Sequence, residues 1–557
     1  MAGSDLAPSA FASASCPSSA RSRERRADAP RPDPASSLGP RPPVPRRARR
    51  GGALMMRCGQ MWPRFLRLHR LSIGKRARKG RRPAAARSGL DGSPSAPCPS
   101  ASGPRRQRAR RTPTATAAVD WSLLPEELLL VIMGHLEVID LVRSGAACSS
   151  WHPAFTAFRR LRIPSPKQAP CALYTARDED PDIAVLCAPC RPTSIGASRS
   201  RLPSIRTALP GLPLSRRTFV GSAYGWLVTA DEDSNLHVVN LLIGAQVALP
   251  PLASLYNVES LTDEGGDLTY RVFVNREADE EPTDNLTALA AREIMYFRAV
   301  LLCSPSAGAE CIVLLIHWPE GELSFARLGD ESWMPVSAMG HGPLERSGYH
   351  DAVYNSDNGL FYVLRFDGAI YTLDLNGHSP SASRIMRSAM PIYHPGRTHD
   401  LITMYLVKTP SGDLLQVFRW IEMSLYPFRH PPYTDDNEFY SIYAQIESFD
   451  VQVFKVDLHG QKLDHITTLG DHSLFLGYNN SMCISTKDLP MLEPNLFYLM
   501  DNCKHVYKAT ESFRDMGFYK IGEIPIYNGG PRTPNHGCFP FASKPFPVPI
   551  WITPSVY

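Results

Sequence analysis

The 557 residues carry a formal net charge of +6 that hides two populations: residues 1–118 hold 26 Lys and Arg against 5 Asp and Glu, the remainder 34 against 49. Twelve scattered cysteines lack the spacing of a disulfide scaffold, and no apolar run approaches the roughly 18 residues of a membrane span. With no leader-like apolar stretch near the start, the sequence reads as a soluble chain of a reducing, intracellular compartment.

Residues 1–118 contain three aromatics, Phe11, Trp62 and Phe65, beside 16 of the 51 prolines. Such a segment buries too little apolar surface to offset chain entropy and is expected to be a disordered basic tail. Within it, Lys75, Arg76, Arg78, Lys79, Arg81 and Arg82 form a dense cluster, echoed by basic runs at 46–50 and 105–111. The cluster is a candidate nuclear-import signal; the plainer alternative is a solvated arm, and nonspecific phosphate contact is the most nucleic-acid binding it implies. Nucleus, cytoplasm or both are the expected locations. The Arg, Ser and Ala content also fits an organelle transit peptide, which the early Asp5, Glu24, Asp28 and Asp33 oppose. Met55, Met56 and Met61 offer internal starts.

A helical pattern begins at Trp121. Pro125 suits a first helical turn, and Glu126 and Glu127 complement the positive helix end. Leu124, Leu128, Ile132 and Leu136 recur every four residues, while Leu129 and Val131 widen the stripe beyond one buried face. Asp140 is expected to cap a second short helix over 141–147, and Ser149 or Ser150 a third holding Trp151 and Phe155. Three short helices within about 40 residues need a partner or the following domain for stability.

In order and spacing, Leu124-Pro125, Leu128, Ile132, Leu136, Asp140-Leu141, Arg143, Cys148 and Trp151 resemble the F-box pattern. Glu137 replaces the usual proline after the first helix, and Ala147 a larger aliphatic residue. The resemblance implies docking on the Skp-type adaptor of an Skp, cullin and F-box ligase through Leu124, Pro125, Leu128, Ile132, Leu136, Leu141 and Trp151, with cullin recruited through the adaptor. A helical cap packed on its own domain would show the same leucine stripe.

After a Pro- and Arg-rich connection ending near Arg217, short apolar runs at 226–230, 236–240, 299–303, 312–316, 360–364 and 369–373 read as strands. Glu320-Gly321, Asn358-Gly359, Asp367-Gly368 and Ser411-Gly412 supply left-handed positions for tight hairpins; the last pair of 356–359 is expected in a type I′ turn. Long helical periods are nearly absent, so an all-β domain of meanders is expected, a β-propeller in preference to a sandwich. The segments 221–230, 238–251, 474–485, 490–501 and 549–554 resemble the KIB-type β-propeller found behind F-boxes in plants. That likeness spans residues 171–557 and is patchy over 259–291, an acidic stretch read as an exposed insertion; Asn240-Leu241 departs from the usual Asn-Pro. The expected organisation is a tail over 1–118, an F-box helical domain over 119–165, a linker with first strands over 166–217, and a propeller-like domain over 218–557.

Cys187 and Cys190 have redox-pair spacing but lack partners for a four-ligand site, so neither a metal nor a cofactor is expected. No phosphate-cradling glycine loop or nucleophile elbow occurs. The sequons at Asn285 and Asn479 carry no weight without a secretory signal. Taken with the resemblances, these features imply a non-catalytic, substrate-recruiting ligase subunit whose propeller binds an unidentified protein. A ligase-independent propeller scaffold is the alternative, and a propeller hydrolase a weaker one.

Overall fold

The computed structural model describes residues 120–557, apart from 164–166, 177–179, 190–203, 209–212, 264, 275, 277–280, 337–347, 377–379, 381, 391–399, 430–439, 501–515 and 522–548. The basic tail, its cluster at 75–82, and Cys190 therefore lie outside the described residues.

Three helices open the described chain: α1 (Glu126–Met133), α2 (Val138–Gly145) and α3 (Trp151–Arg160). Their boundaries depart from expectation. Pro125 is the residue before α1, and Gly134 ends the helix, so Leu136 lies beyond it. α2 starts at Val138, where the Leu141 N–H reaches the Glu137 carbonyl, which puts Asp140 inside the first turn paired with Arg143 at 3.1 Å. The Val138 N–H is capped from a distance by Gln168 Oε1 at 2.7 Å, a partner local sequence does not reveal. Ser150 holds the N-cap position of α3 but makes no capping bond.

The rest is mostly antiparallel sheet. β1 (Cys171–Ala176), β2 (Asp180–Cys187) and β3 (Ser204–Ala208) are followed by β4 (Thr218–Ala223), β5 (Trp226–Ala230), β6 (Leu236–Asn240) and β7 (Ala245–Ala248). Next come β8 (Val258–Thr262), β9 (Leu268–Val272), β10 (Asp284–Thr287) and the short helix α4 (Ala288–Ile294). Then run β11 (Tyr296–Leu301), β12 (Ile312–His317), β13 (Glu322–Arg327), β14 (Met334–Pro335), β15 (Tyr349–Asn355), β16 (Leu360–Arg365), β17 (Ile370–Leu373) and β18 (Ala382–Met386). The last are β19 (Asp400–Lys408), β20 (Leu414–Arg429), β21 (Tyr440–Asp457), β22 (Lys462–Ile466), β23 (His472–Leu476), β24 (Met482–Ser485), β25 (Leu496–Leu499), β26 (Gly517–Lys520) and β27 (Ile550–Ile552).

Among the described residues these strands make six four-stranded sheets and one of three strands. β27-β1-β2-β3 is the first blade, β4 to β7 the second, β11 to β14 the third, β15 to β18 the fourth, β19 to β22 the fifth, and β24-β23-β25-β26 the sixth. The blades form a closed ring because each shares a hydrophobic core with the next. Leu173 and Leu186 meet Leu227 and Val239; Val228 and Val238 meet Ala299 and Val313. Leu314 meets Val363, and Ile370 meets Met404 and Phe418. Val417 meets Leu474, and Phe475 with Tyr498 meets Ala172 and Trp551, which closes the circuit. This explains a pattern that looks like an unbroken apolar run: in β12, Val313 and Leu315 face one neighbour while Ile312, Leu314 and Ile316 face the other.

Three expectations change. Residues 171–208, read as a linker with first strands, supply three strands of the first blade, completed by β27 from the far end of the chain. The acidic stretch over 259–291 is not simply an exposed insertion: β8, β9 and β10 form the three-stranded sheet, whose Tyr270, Val272 and Leu286 pack into the core of blades two and three. In the sixth blade β23 and β25 run parallel, which breaks the meander.

The hairpin glycines do adopt left-handed conformations, with φ of 81° at Gly321, 73° at Gly359, 82° at Gly368 and 91° at Gly412. The turn types differ, however. Ser356, Asp357, Asn358 and Gly359 make a four-residue loop closed by the Gly359 N–H on the Asn355 carbonyl, and only its glycine has positive φ. The two-residue type I′ pair is Tyr224-Gly225, with φ of 54° and 81° between β4 and β5.

A buried polar network links β4, β11, β15, β19 and β27. Arg298 on β11 pairs with Asp351 on β15 at 2.8 Å, and Asp351 also accepts the Ala352 and Leu406 N–H groups at 2.7 and 2.8 Å. Arg298 donates to the Asn479 carbonyl at 2.9 Å, while the Asn479 amide donates to Ser222 Oγ and the Trp551 carbonyl, each at 2.5 Å. Burial pushes the Asp351 carboxyl above its ordinary range, and Arg298 and the two amides work against that shift.

Candidate interaction face

After Glu126 and Glu127, α1 is apolar all round, and the structure sorts its residues by face. Leu129 and Met133 turn inward, one position away from the expected stripe, and pack with Val138, Leu141, Ala154, Phe158 and Val556. The other side of α1 and the turn before it, Trp121–Leu123, stay in solvent: relative exposure is 61% at Trp121, 78% at Leu123, 51% at Leu128 and 60% at Val131. Exposed large apolar side chains concentrated on one short helix mark a contact surface.

The seven residues expected to bind the adaptor divide accordingly. Leu128 and Pro125 are exposed, and Leu124, Ile132, Leu136 and Trp151 are half-buried. Trp151 is tied down by its indole N–H, which donates to the Trp121 carbonyl at 3.1 Å. Leu141 has no exposed surface; it supports the helices from within and is not available to a partner. Trp121, Leu123 and Val131 belong to the exposed face although they were not among the expected residues. Their signal was the surplus of apolar positions beyond one buried stripe. Of the two departures from the F-box pattern, Ala147 is exposed and Glu137 half-buried. Burial, followed by the negative charge of Asp140, holds the Glu137 carboxyl above its ordinary value.

The unit also rests on the ring. Ile139 packs in the core shared by blades one and two, with Val142 against it, and Arg143 donates to the Ser204 carbonyl at 2.9 Å. Packing against its own domain and an exposed apolar face thus coexist on different sides of the helices.

On the ring, a cleft of about 330 Å³ between blades four and five is lined by Tyr362, Lys408, Asp413, Lys455 and Asp457. Its charges are paired: Lys408 with Asp357 at 2.7 Å and Lys455 with Asp413 at 2.8 Å. Among the described side chains of β4, β11, β15, β19, β24 and β27, the strands through which neighbouring blades meet, Asp351 is the one carboxylate, and it is paired with Arg298. Cys187 is buried on β2, where burial pushes its thiol up to about 12. Asn479, one of the two sequons, is fully buried. Among the described residues no helix is long and apolar enough to cross a membrane, and no group of three or more His, Cys, Asp or Glu could hold a metal ion.

Comparison with known proteins matches residues 197–520 to the KIB1-4 beta-propeller and residues 121–157 to an F-box-like segment. The F-box protein SKIP23 of Arabidopsis thaliana is 23% identical over 463 residues, covering 78% of this chain and 96% of the relative. A putative F-box protein of the same plant is 22% identical over 372 residues, covering 64% of this chain and 83% of the relative. Among solved structures, the C-terminal WD40 domain of Sif2 aligns with a TM-score of 0.24 at 11% identity, over 60% of this chain and 92% of that domain.

Proposed function

Because the chain belongs to the KIB1-4 β-propeller family and carries an F-box-like segment before the ring, we propose that it is the target-recruiting subunit of an Skp, cullin and F-box ubiquitin ligase. The observation that carries this reading is the apolar face of Trp121, Leu123, Leu128 and Val131, which the chain's own packing leaves in water within the F-box-like segment. Leu124, Pro125, Ile132 and Leu136 border that face and complete the contact with the Skp-type adaptor, which brings cullin with it. The propeller binds a protein target. Catalysis is left to the recruited machine, and this chain acts by raising the target's local concentration beside it. The basic cluster at 75–82 serves nuclear import.

Co-purification of the full chain from plant cells tests the proposal. Recovery of the adaptor together with cullin is expected. If the folded chain brings down a target but neither ligase component, the ligase-independent scaffold takes its place.

A further inference from the structure

We infer that residues 553–557, which follow the ring-closing strand β27, are a clasp that locks the helical unit onto the propeller in one orientation. From the helical side, Val556 is buried in the core of the three helices with Leu129 and Phe158, and Tyr557 stacks on Phe158 with centroids 6.4 Å apart. Arg159 Nε donates to the Val556 carbonyl at 3.3 Å, and the Tyr557 hydroxyl donates to the Ile163 carbonyl.

From the ring side, the second blade grips Ser555 and Tyr557 of the same segment. Asn240 Nδ2 donates to the Ser555 carbonyl at 3.2 Å while its Oδ1 accepts the Leu242 N–H at 3.0 Å, so one side chain fixes both its own turn and the clasp. The Trp226 indole N–H donates to Tyr557 O at 3.3 Å. Ser555 passes so close to the Tyr224-Gly225 turn that a Cβ on Gly225 would lie 2.4 Å from the Ser555 Cβ. The type I′ geometry and the missing side chain are thus both required there.

The same stretch of chain therefore pairs with β1 through β27, lies against blade two, and ends inside the helical core. α2 has its own footing on blade one through Ile139 and Arg143, whereas α1 and α3 meet the clasp. The inference does not depend on what binds α1. Under the adaptor reading, it means that target and ligase core are held in a fixed relation.

Hydrogen exchange on the full chain tests the clasp with two variants, Val556→Asp from the helical side and Gly225→Asn from the ring side. Asn tolerates the left-handed backbone, so the second variant isolates the collision with Ser555. In both, amides of α1 and α3 should exchange about tenfold faster or more, while those of β12 and β16 keep wild-type rates. Unchanged protection of α1 and α3 in both variants overturns the inference. So does equal loss of protection in the helices and in β12 and β16, because the segment would then be part of the ring and not a separable clasp.

Discussion

Replacing Leu128 and Val131 together with alanine separates the proposed contact face from the fold beneath it. Both side chains are more than half exposed, at 51% and 60%, so their truncation removes little from the chain's own core. Surface changes of this kind usually alter stability by no more than about 0.5 kcal/mol. Full burial of a Val or Leu side chain is worth about 1.5–3 kcal/mol, so covering the remaining half gives about 0.8–1.5 each. The pair should therefore weaken adaptor affinity about 15- to 150-fold. Calorimetric titration of purified Skp-type adaptor into the full chain and the double variant measures this, with thermal unfolding run in parallel. Leu141→Ala is the internal contrast: it should cost about 2–5 kcal/mol of stability, because that side chain is enclosed by the helices, and reach the adaptor only through unfolding. A double variant with unchanged melting and an affinity within about threefold of wild type would refute the reasoning.

Arg298→Ala should destabilise the ring by about 3–5 kcal/mol in urea unfolding, because it strands the buried Asp351 carboxylate, and Asp351→Asn in that background should recover part of the loss. No recovery would mean that the charge is not the cause. His317 is fully buried, its Nδ1 donating to the Trp318 carbonyl at 2.7 Å and its Nε2 meeting Ser324 Oγ at 3.0 Å, and burial lowers its pKa to about 4. The unfolded chain binds a proton below about pH 6.5 that the folded chain refuses. Stability is then fully present above that pH and falls by about 1.4 kcal/mol per unit toward pH 4. A His317→Gln chain should lack this component in urea titrations at pH 7, 6 and 5, and identical pH slopes would sink the assignment. Deleting residues 75–82 should shift a fluorescent fusion from nucleus to cytoplasm; an unchanged distribution leaves the cluster as solvated charge.

Strand positions were legible because β-branched and aromatic runs between glycine turns leave few alternatives: 226–230 and 236–240 are β5 and β6 as read. Helix boundaries were less so. Asp140 is a good capping residue by type, yet Gln168 caps α2 from 30 positions away, and local pattern has no access to such a partner. The contact face was half visible. A leucine every four residues suggested one stripe, but Leu129 and Met133, also four apart and one position further on, form the buried line and leave Leu128 in water; spacing alone does not say which of two adjacent apolar lines on α1 faces the core.

By itself the sequence determined the class of each part: a basic arm poor in aromatics, three short helices with more apolar surface than one face needs, and a long run of hairpins. These follow from composition and period, which are properties of neighbours along the chain. Only the tertiary structure decided the ring of six blades among the described residues, the recruitment of 171–208 into the first of them, and the use of 553–557 to join helices to ring. Each of these rests on pairing between segments hundreds of residues apart. The motif 221–226 shows the difference: Gly221, Gly225 and Trp226 are read as a family resemblance in sequence. In space they are the close approach of β4 to Ala299 on β11, the turn beneath Ser555, and the donor to Tyr557. A residue's type limits what it can contact, but the partner that makes the contact necessary is brought to it by the fold.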